Sequence, residues 1–420
     1  MSDVSTPALP CLDIRVAPLP ERFDDVALRD MVPTSRGVLA WWSPERTLIG
    51  WGCALRIEVE GRHAIREAGR RWDQVRRNAH LRAPEGAPRA PIAFGSFGFA
   101  WATPGMLIVP KLTLVETPHG RYVITASDMA TAQAPDPIVA LDAAYEQVSA
   151  SPVSTPQGLW TEAGRMSQSK WTESVRRLIS RLRSGGASKV VMARDMVVSS
   201  ALPFDERYLL ARLNELYPTT WTYAVEGLIG ATPEMLASIT DGVLTSRVLA
   251  GTSTDGDGDA LMANMKERTE HLLAVESVAR ALSPLAETLE VPDEPTLLAL
   301  PNVLHLATDV KAQLREGNVL DAVAALHPTA AVCGTPTPLA FDLLLTFEDT
   351  RRGRYSGPVG WIDAAGDGEF GIALRCGQLS DDGTSIRVFA GSGIMPDSVP
   401  EAELAETRAK MRPVLDALGI

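Results

Sequence analysis

The sequence predicts a large α+β fold built on antiparallel sheet. Segments typical of strands follow one another along the chain, and the last of them are separated by short hairpin-like turns at "AAGDG" and "DDG". Long segments with helical spacing lie between groups of these strands, which is the pattern of an α+β fold. With 420 residues, 45% of them hydrophobic, the chain also has enough apolar material for a large core.

The elements are predicted in order from local patterns. Short strand-like runs, "IAFGSFGFAW" and "RYVITAS", precede residues 150–169, which are rich in Ser, Pro and Gly and predict a connection. Helices are predicted over 170–184 and 206–216, with the strand "SKVVMARDMVV" between them. Later strands are predicted at "TYAVEGLIGAT", "GVLTSRVLA", "GPVGWIDA", "EFGIALRCGQLS" and "SIRVFAGSG".

Composition excludes several classes of function. A net charge of −12 argues against general affinity for nucleic acid or for anionic membranes, and the basic cluster "REAGRRWDQVRRNAHLR" is interrupted by acids, which favours a solvated helix face over a nucleic-acid patch. The four cysteines are far apart, and the six histidines form no His-Glu-x-x-His pattern, so no zinc site is predicted. Without a signal peptide or a membrane-spanning run, we expect a cytoplasmic protein.

Residues 266–282, "KERTEHLLAVESVARAL", predict a helix with a carboxylate among small side chains. On helical spacing, the side of Glu270 carries residues that are small or apolar: Leu273, Ala274, Ser277 and Ala281. A second side is also apolar and carries Leu272, Val275, Val278, Ala279 and Leu282. We therefore expect this helix to be buried on two faces.

A carboxylate in such a confined place must be neutralised, paired or bound to metal. The last helix of the chain offers a partner for Glu270, because it places Glu403, Glu406 and Lys410 together on one side. Two glutamates from separate helices suit Mg²⁺, which needs only one or two protein carboxylates. The alternative is that each glutamate pairs with an Arg or Lys at the surface.

Two further residues are candidates for acid–base chemistry. Lys189 opens the strand "KVVMAR" and is either a lysine at a sheet edge, with its amine in solvent, or a desolvated amine able to act as a base. Glu234 follows Pro233 at the end of a strand. It is either an acid at a helix N-terminus or a general acid in a pocket.

Ten motifs, taken together and in order, resemble the chorismate-utilising enzymes, which include isochorismate synthase, salicylate synthase and the large components of anthranilate and aminodeoxychorismate synthases. The motifs are "SKVVMAR", "GATPEML", "LAGT", "KERTEH", "VLHLAT", "LHPTAAVCGTP", "RYSGPVGW", "IALRCGQL", "FAGSGI" and "ELAETRAKM". They cover the catalytic region, residues 165–420, whereas residues 1–150 match weakly. The resemblance implies one α/β domain with two layers of antiparallel sheet flanked by helices.

The resemblance also implies a role for individual residues. Glu270 and Glu406 match the magnesium ligands that hold the ring carboxylate of chorismate, with Glu267 and Glu403 as acidic residues behind them. Lys189 matches the lysine that activates water, and Glu234 matches the acid that protonates the departing hydroxyl. Further matches to substrate-binding positions are Gly251, Thr252, His305, Ala331, Tyr355, Arg375, Gly391 and Lys410.

Two positions favour one branch of the family. Ammonia-using members usually lack a lysine at position 189, and isochorismate synthases have Ala where this chain has Ala331. We therefore predict a Mg²⁺-dependent isochorismate synthase that acts on chorismate without a glutamine amidotransferase partner. Its product could enter siderophore biosynthesis, menaquinone biosynthesis or another pathway. Salicylate synthase is the main alternative, and an ammonia-using enzyme or a non-catalytic relative is less favoured.

Overall fold

The computed structural model describes residues 9–253, 256–300 and 303–420, without the side chains of residues 252, 266, 300 and 303. These described residues contain nine α-helices: α1 (Ala64–Asn78), α2 (Pro137–Val148), α3 (Gln168–Arg183), α4 (Glu206–Leu216), α5 (Gly258–Ala263), α6 (Met265–Leu282), α7 (Val319–Leu326), α8 (Thr337–Phe347) and α9 (Pro400–Leu418). Among them, none combines the length and the apolar composition that crossing a lipid bilayer requires.

The larger sheet, called sheet A below, is antiparallel except for one parallel pair at its edge, β1 with β5. In chain order it consists of β1 (Leu12–Pro18), β2 (Leu39–Trp42), β3 (Thr47–Trp51), β5 (His80–Arg82), β8 (Leu112–Thr117), β9 (Gly120–Asp128), β10 (Trp160–Ala163), β11 (Lys189–Ser199), β12 (Trp221–Val225), β13 (Leu228–Thr232), β19 (Gly334–Thr335), β22 (Cys376–Leu379) and β23 (Ser385–Ile394). Its spatial order is β10-β11-β23-β22-β13-β12-β2-β3-β8-β9-β1-β5, and β19 pairs with β11.

The smaller sheet, sheet B, is antiparallel throughout its described pairings. It consists of β4 (Leu55–Val59), β6 (Ala93–Ser96), β7 (Gly105–Val109), β14 (Met235–Thr240), β15 (Val243–Ser253), β16 (Ala286–Glu290), β17 (Thr296–Leu300), β18 (Val303–Leu314), β20 (Pro358–Ile362) and β21 (Gly368–Ile372). Its spatial order is β16-β18-β15-β14-β21-β20-β6-β7-β4, and β17 pairs with β18. The predicted fold class is therefore confirmed.

Alternation along β2 shows how sheet A separates two cores. Leu39 and Trp41 belong to the larger apolar cluster, which also contains residues of sheet B, whereas Ala40 and Trp42 belong to a second cluster. Helices α4 and α9 contribute to that second cluster, for example through Leu213. Sheet A is thus buried on both faces, which explains why its central strands are apolar at consecutive positions.

Two segments predicted as single strands are each divided into two. "TYAVEGLIGAT" forms β12 and β13, joined by a turn in which Glu226 has a positive φ of 51°. "EFGIALRCGQLS" forms β21 in sheet B and β22 in sheet A. The predicted connection over 150–169 also contains a short strand, β10, which pairs with β11.

The expectation that the 266–282 helix is buried on two faces is wrong. Val275, Val278 and Leu282 are buried, but Leu272 and Leu273 are 55% and 54% exposed. The helix packs against β15, β18 and α7, and these contacts leave Leu272 and Leu273 uncovered. When a helix has two apolar sides, its sequence does not tell which side the rest of the protein covers. Here sheet B covers the side that carries Val275 and Val278.

Candidate active site

Lys189 and Glu270 are in direct contact at the junction of a strand and a helix. Lys189 is the first residue of β11, and its Nζ donates a hydrogen bond to Oε1 of Glu270 on α6 at 2.5 Å. At this end of β11 the neighbouring strands are β19, which pairs with Lys189 itself, and β23, which pairs from Val190 onward, so Lys189 does not lie on an open sheet edge. Both side chains are mostly buried, with 21% and 25% of their surfaces exposed, and this ion pair is therefore not a surface pair.

Glycine at position 393 makes room for the lysine side chain. An added Cβ there would lie 2.6 Å from Cε of Lys189, well inside van der Waals contact. Gly391, two residues earlier on β23, faces the same side of the strand, and a Cβ there would lie 3.2 Å from the hydroxyl oxygen of Tyr355. Lys189 and Tyr355 thus lie over the same face of β23.

A second lysine–glutamate pair, on α9, contacts the same strand. Nζ of Lys410 on α9 donates to the carbonyl oxygen of Gly391 at 3.2 Å and also contacts Oε1 of Glu406. Gly391 and Gly393 are about 7 Å apart along an extended strand, so the two lysines approach β23 at neighbouring positions, and each has its own glutamate partner. The sequence left open that each glutamate pairs with an Arg or Lys at the surface. Each glutamate does contact a lysine, but both lysines approach the same strand, β23.

The charge of these groups reflects their surroundings. Burial opposes ionisation of Glu406, yet its pKa is lowered because Lys410, the Ser392 hydroxyl and Arg375 favour the carboxylate. Burial lowers the pKa of Lys410, and Arg375 and Lys189 lower it further although Glu406 opposes them. Cations and carboxylates thus lie close together, and each favours or opposes the ionisation of its neighbours.

Glu267 and Glu403, predicted to stand behind the metal ligands, lie one turn before Glu270 and Glu406 on the same helices. Glu403 accepts a hydrogen bond from the hydroxyl of buried Ser392. Within the described residues, no three His, Cys, Asp or Glu groups converge in a way that could hold a metal ion by themselves. A donor set of two carboxylates from α6 and α9 still fits Mg²⁺, since that ion keeps several water ligands.

Glu234 lies where the chain leaves one sheet and enters the other. β13 of sheet A ends at Thr232 and β14 of sheet B begins at Met235, so Glu234 does not begin a helix. Burial raises the pKa of Glu234 to about 7, although Arg375, Lys189 and Lys410 oppose this shift. The carboxyl group is therefore protonated in a large fraction of molecules near neutral pH and can donate a proton.

Arg375 lies at the equivalent point between β21 and β22 and has a positive φ of 49°. Burial lowers the pKa of its guanidinium group, while Tyr355, Glu406 and Glu234 oppose this. In residues 9–253, 256–300 and 303–420, its guanidinium has no carboxylate within ion-pair distance. Arg375 is therefore a cation near Glu234 and Glu406, and its guanidinium can still bind an anion. Burial also raises the pKa of Tyr355 to about 12, so its hydroxyl stays a hydrogen-bond donor.

His305 completes the polar surroundings. The pKa of His305 is lowered to about 4, mainly by burial and also by the positive charges of Arg375 and Lys410. A hydrogen bond with the Gly251 backbone and the negative charge of Glu406 oppose this shift. The imidazole is therefore neutral at ordinary pH. Gly251 has a positive φ of 75°, and an added Cβ would lie 3.1 Å from Leu306, which favours glycine there. The side chain of Thr252 lies outside the part of the chain that the structure describes.

Small residues of α6 leave space next to Glu234. A cavity of ≈ 120 Å³ is bounded by Glu234, by Ala331, and by three residues that share a side of α6 with Glu270: Ala274, Ser277 and Ala281. The small side chains noted in the sequence thus border empty volume. Ala331 contributes no hydroxyl to it.

Sequence reasoning missed two groups that organise this region. Gly393 could have been found from strand alternation, because it shares a face with Gly391. The second group is the buried ion pair of Arg352 with Glu348 at 2.7 Å. Arg352 donates to the carbonyl oxygens of Val191 and Val332, at 2.6 and 2.8 Å, and so ties the strand of Lys189 to the segment of Ala331. No local pattern indicates a pair with this role.

Comparisons with known proteins show the family of this chain. A family model described as "Chorismate binding enzyme" matches residues 23–419. The isochorismate synthase DhbC of Bacillus subtilis is 37% identical over 263 residues, which cover 58% of this chain and 66% of that protein. The salicylate biosynthesis isochorismate synthase of Pseudomonas aeruginosa is 31% identical over 415 residues, covering 91% of this chain and 85% of that protein.

A solved structure shows the same fold. The structure of MenF, the menaquinone-specific isochorismate synthase from Escherichia coli, has a TM-score of 0.79 to this chain at 23% identity. The match covers 98% of this chain and 95% of that one.

Proposed function

The chain belongs to the chorismate-binding enzymes, and from that premise we propose that it is an isochorismate synthase, which converts chorismate to isochorismate reversibly. In this reaction the oxygen of water forms a bond to C2 of the ring. The bond between C4 and its hydroxyl breaks as the electrons shift across the conjugated diene. Atoms balance because one hydroxyl is gained and one is lost, so the step needs a base and an acid but no reductant or oxidant.

The observation that carries the proposal is the joint presence of an amine and a protonated carboxyl group. Lys189 is held over Gly393 and contacts Glu270, while Glu234 has a pKa of about 7 because it is buried. In the proposed step, the neutral form of the Lys189 amine takes the proton that the attacking water loses. Glu234 gives its proton to the hydroxyl that leaves C4.

Substrate charge explains the cluster of cations. Chorismate is a dianion and the protein carries a net charge of −12, so local positive charge must bind the substrate against the overall field. Arg375 is proposed to hold the enolpyruvyl carboxylate because its guanidinium is available for a charge-assisted, two-point contact. The Tyr355 hydroxyl and the backbone at Gly391 lie on the same face of β23 and are proposed to contact that carboxylate too. Lys410 and neutral His305 are proposed to line the rest of the pocket.

We propose that Glu270 and Glu406, whose lysine partners approach β23 at neighbouring positions, hold Mg²⁺, with Glu267 and Glu403 adding negative charge behind them. When bound, the ion would neutralise the ring carboxylate and help to orient the substrate. Lys189 and Lys410 also contact these two glutamates.

Within the family, the water branch is supported by Lys189 and by Ala331. Both curated relatives described above are isochorismate synthases. The proposal includes no amidotransferase partner, since water and not ammonia is the nucleophile.

The test is a product analysis. Purified protein is incubated with chorismate and Mg²⁺, and the products are separated by chromatography, with fluorescence detection of salicylate. We expect isochorismate, in an equilibrium mixture with chorismate that is reached from either side. Salicylate and pyruvate as the main products would show a salicylate synthase. An aminated ring formed from ammonium ions would show an ammonia-using enzyme, and unchanged chorismate would show a non-catalytic relative.

A further inference from the structure

A second cavity lies away from the candidate active site. It has a volume of ≈ 260 Å³ and lies between the start of α1, the connection from β6 to β7, and the segment that follows α7. Within the described residues, its lining shares only Pro328 with the cavity beside Glu234. The two cavities are therefore separate spaces on either side of the 324–331 segment.

One wall of this cavity is aromatic. Trp101 lies flat against Phe341, with ring centroids 5.3 Å apart and 5° between the ring planes, and Phe99 stacks on the same Phe341 at 5.9 Å. Trp101 is nevertheless 47% exposed, which is unusual for a tryptophan held rigidly by neighbouring rings. A rigid and accessible aromatic surface at a cavity is typical of a site for an apolar ring.

The mouth of the cavity is basic. The guanidinium of Arg62 lies 4.3 Å from the ring centroid of Trp101, and His63 and Arg66 also line the cavity. Within the described ranges, with their gaps at 254–255 and 301–302, none of these three side chains has a carboxylate at ion-pair distance. One turn further along α1 the pattern changes, because Arg70 and Arg71 both pair with Glu67.

Charge and shape together define the class of ligand. In a protein with a net charge of −12, unpaired basic side chains at one cavity favour an anion. Arg binds planar carboxylates through two parallel hydrogen bonds, and the aromatic wall beside Arg62 suits a ring attached to such a group. The cavity is slightly smaller than the roughly 300 Å³ at the lower end of drug-sized pockets, so it accommodates a single ring.

We propose that this cavity is a second ligand site that binds a small aromatic carboxylate, with the carboxylate on Arg62 and the ring against the exposed part of Trp101. The inference rests on this cavity alone and does not depend on the reaction proposed above.

The experiment uses benzoate as the probe and calorimetric titration of the full chain as the measurement. Arg62→Ala and Trp101→Ala remove the two proposed contacts. Arg70→Ala is the matched control, since Arg70 is an exposed arginine on α1, eight residues after Arg62, and pairs with Glu67. Arg375→Ala tests whether benzoate binds at the candidate active site instead. Benzamide and inorganic phosphate separate the contributions of the charge and of the ring, and thermal melting checks that each variant is folded.

We expect saturable binding of benzoate that weakens at least about tenfold in Arg62→Ala, as loss of a hydrogen bond to a charged group predicts. Trp101→Ala should also weaken it, whereas Arg70→Ala and Arg375→Ala should bind like the parent protein. Benzamide and phosphate should each bind more weakly than benzoate. The proposal is overturned if benzoate does not saturate, if folded Arg62→Ala binds it unchanged, if Arg375→Ala abolishes binding, or if phosphate binds as tightly as benzoate.

Discussion

Glu234 and Arg375 lie side by side where two antiparallel segments pass from one sheet to the other. The carbonyl oxygen of Glu234 accepts a hydrogen bond from the amide of Ile372 at 3.0 Å, and the carbonyl oxygen of Arg375 accepts one from Ala231 at 3.3 Å. Each residue interrupts a strand, so its side chain is released from strict alternation between faces. A carboxyl group with a raised pKa and a cation thereby share the space between the sheets.

The pKa of Glu234 predicts how stability depends on pH. Burial raises this pKa from 4.5 to about 7, so between these values the unfolded chain ionises while the folded protein stays protonated. The parent protein therefore loses stability as the pH rises through this window. Glu234→Gln cannot ionise, and we expect it to be the more stable protein above pH 7, by a difference that shrinks as the pH falls towards 4.5. Thermal melting across this range measures the effect, and parallel curves for the two proteins would show that folding does not raise the pKa of Glu234.

Removing the amine at position 189 should abolish most of the activity. We expect Lys189→Ala to lower the rate of isochorismate formation at least ~100-fold, the low end for a positioned acid or base. Chromatographic assay of isochorismate at saturating chorismate measures the loss. The control is Lys170→Ala, because Lys170 is an exposed lysine at the start of α3. Near-normal turnover by Lys189→Ala would reject its role as the base.

Gly393→Ala tests the position of the lysine without removing it. The new Cβ would lie 2.6 Å from Cε of Lys189, and since this is the flexible end of a side chain, the lysine should move while the fold persists. We expect a loss of about 10- to 100-fold in turnover, typical of a misplaced catalytic group, with little change in thermal stability. In a Lys189→Ala background the same substitution should have no further effect. An additional loss there would mean that Gly393 acts through another group.

Two carboxylates should account for magnesium affinity. Calorimetric titration with Mg²⁺ should show affinity at least about tenfold weaker in Glu270→Gln and in Glu406→Gln, because each loses a charged ligand. Glu276→Gln is the control, since Glu276 is exposed six residues further along α6. Chelation should also stop turnover, and added Mg²⁺ should restore it. Equal affinity in Glu270→Gln and Glu276→Gln would remove Glu270 from the metal site.

The fold class and many elements could be predicted from local patterns. The 266–282 helix and the strand that Lys189 opens appear where periodicity indicates them, because each has enough length for its period to show. The passage of the segment "EFGIALRCGQLS" from sheet B to sheet A could not be predicted. Two short buried strands in succession have the same apolar composition as one longer strand. The break at Arg375 became visible only through its backbone conformation.

The candidate site was predicted as a set of residues but not as a set of contacts. Lys189 and Glu270 are 81 residues apart, and nothing in either local sequence indicates that they meet. Their contact depends on how α6 lies across β15 and β18, which is a property of tertiary packing. The role of the Arg352–Glu348 pair could not be predicted for the same reason. The two residues are four positions apart, but they hydrogen-bond to Val191 and Ala193 in a distant strand.

The most direct measurement is turnover of chorismate in water enriched in oxygen-18. If Lys189 activates water and Glu234 releases the hydroxyl at C4, isochorismate must carry one solvent oxygen, bound at C2, after the first turnover. Mass spectrometry with fragment analysis locates the label. Isochorismate formed without label would mean that the original hydroxyl migrates within the ring, and the roles proposed for both residues would be contradicted.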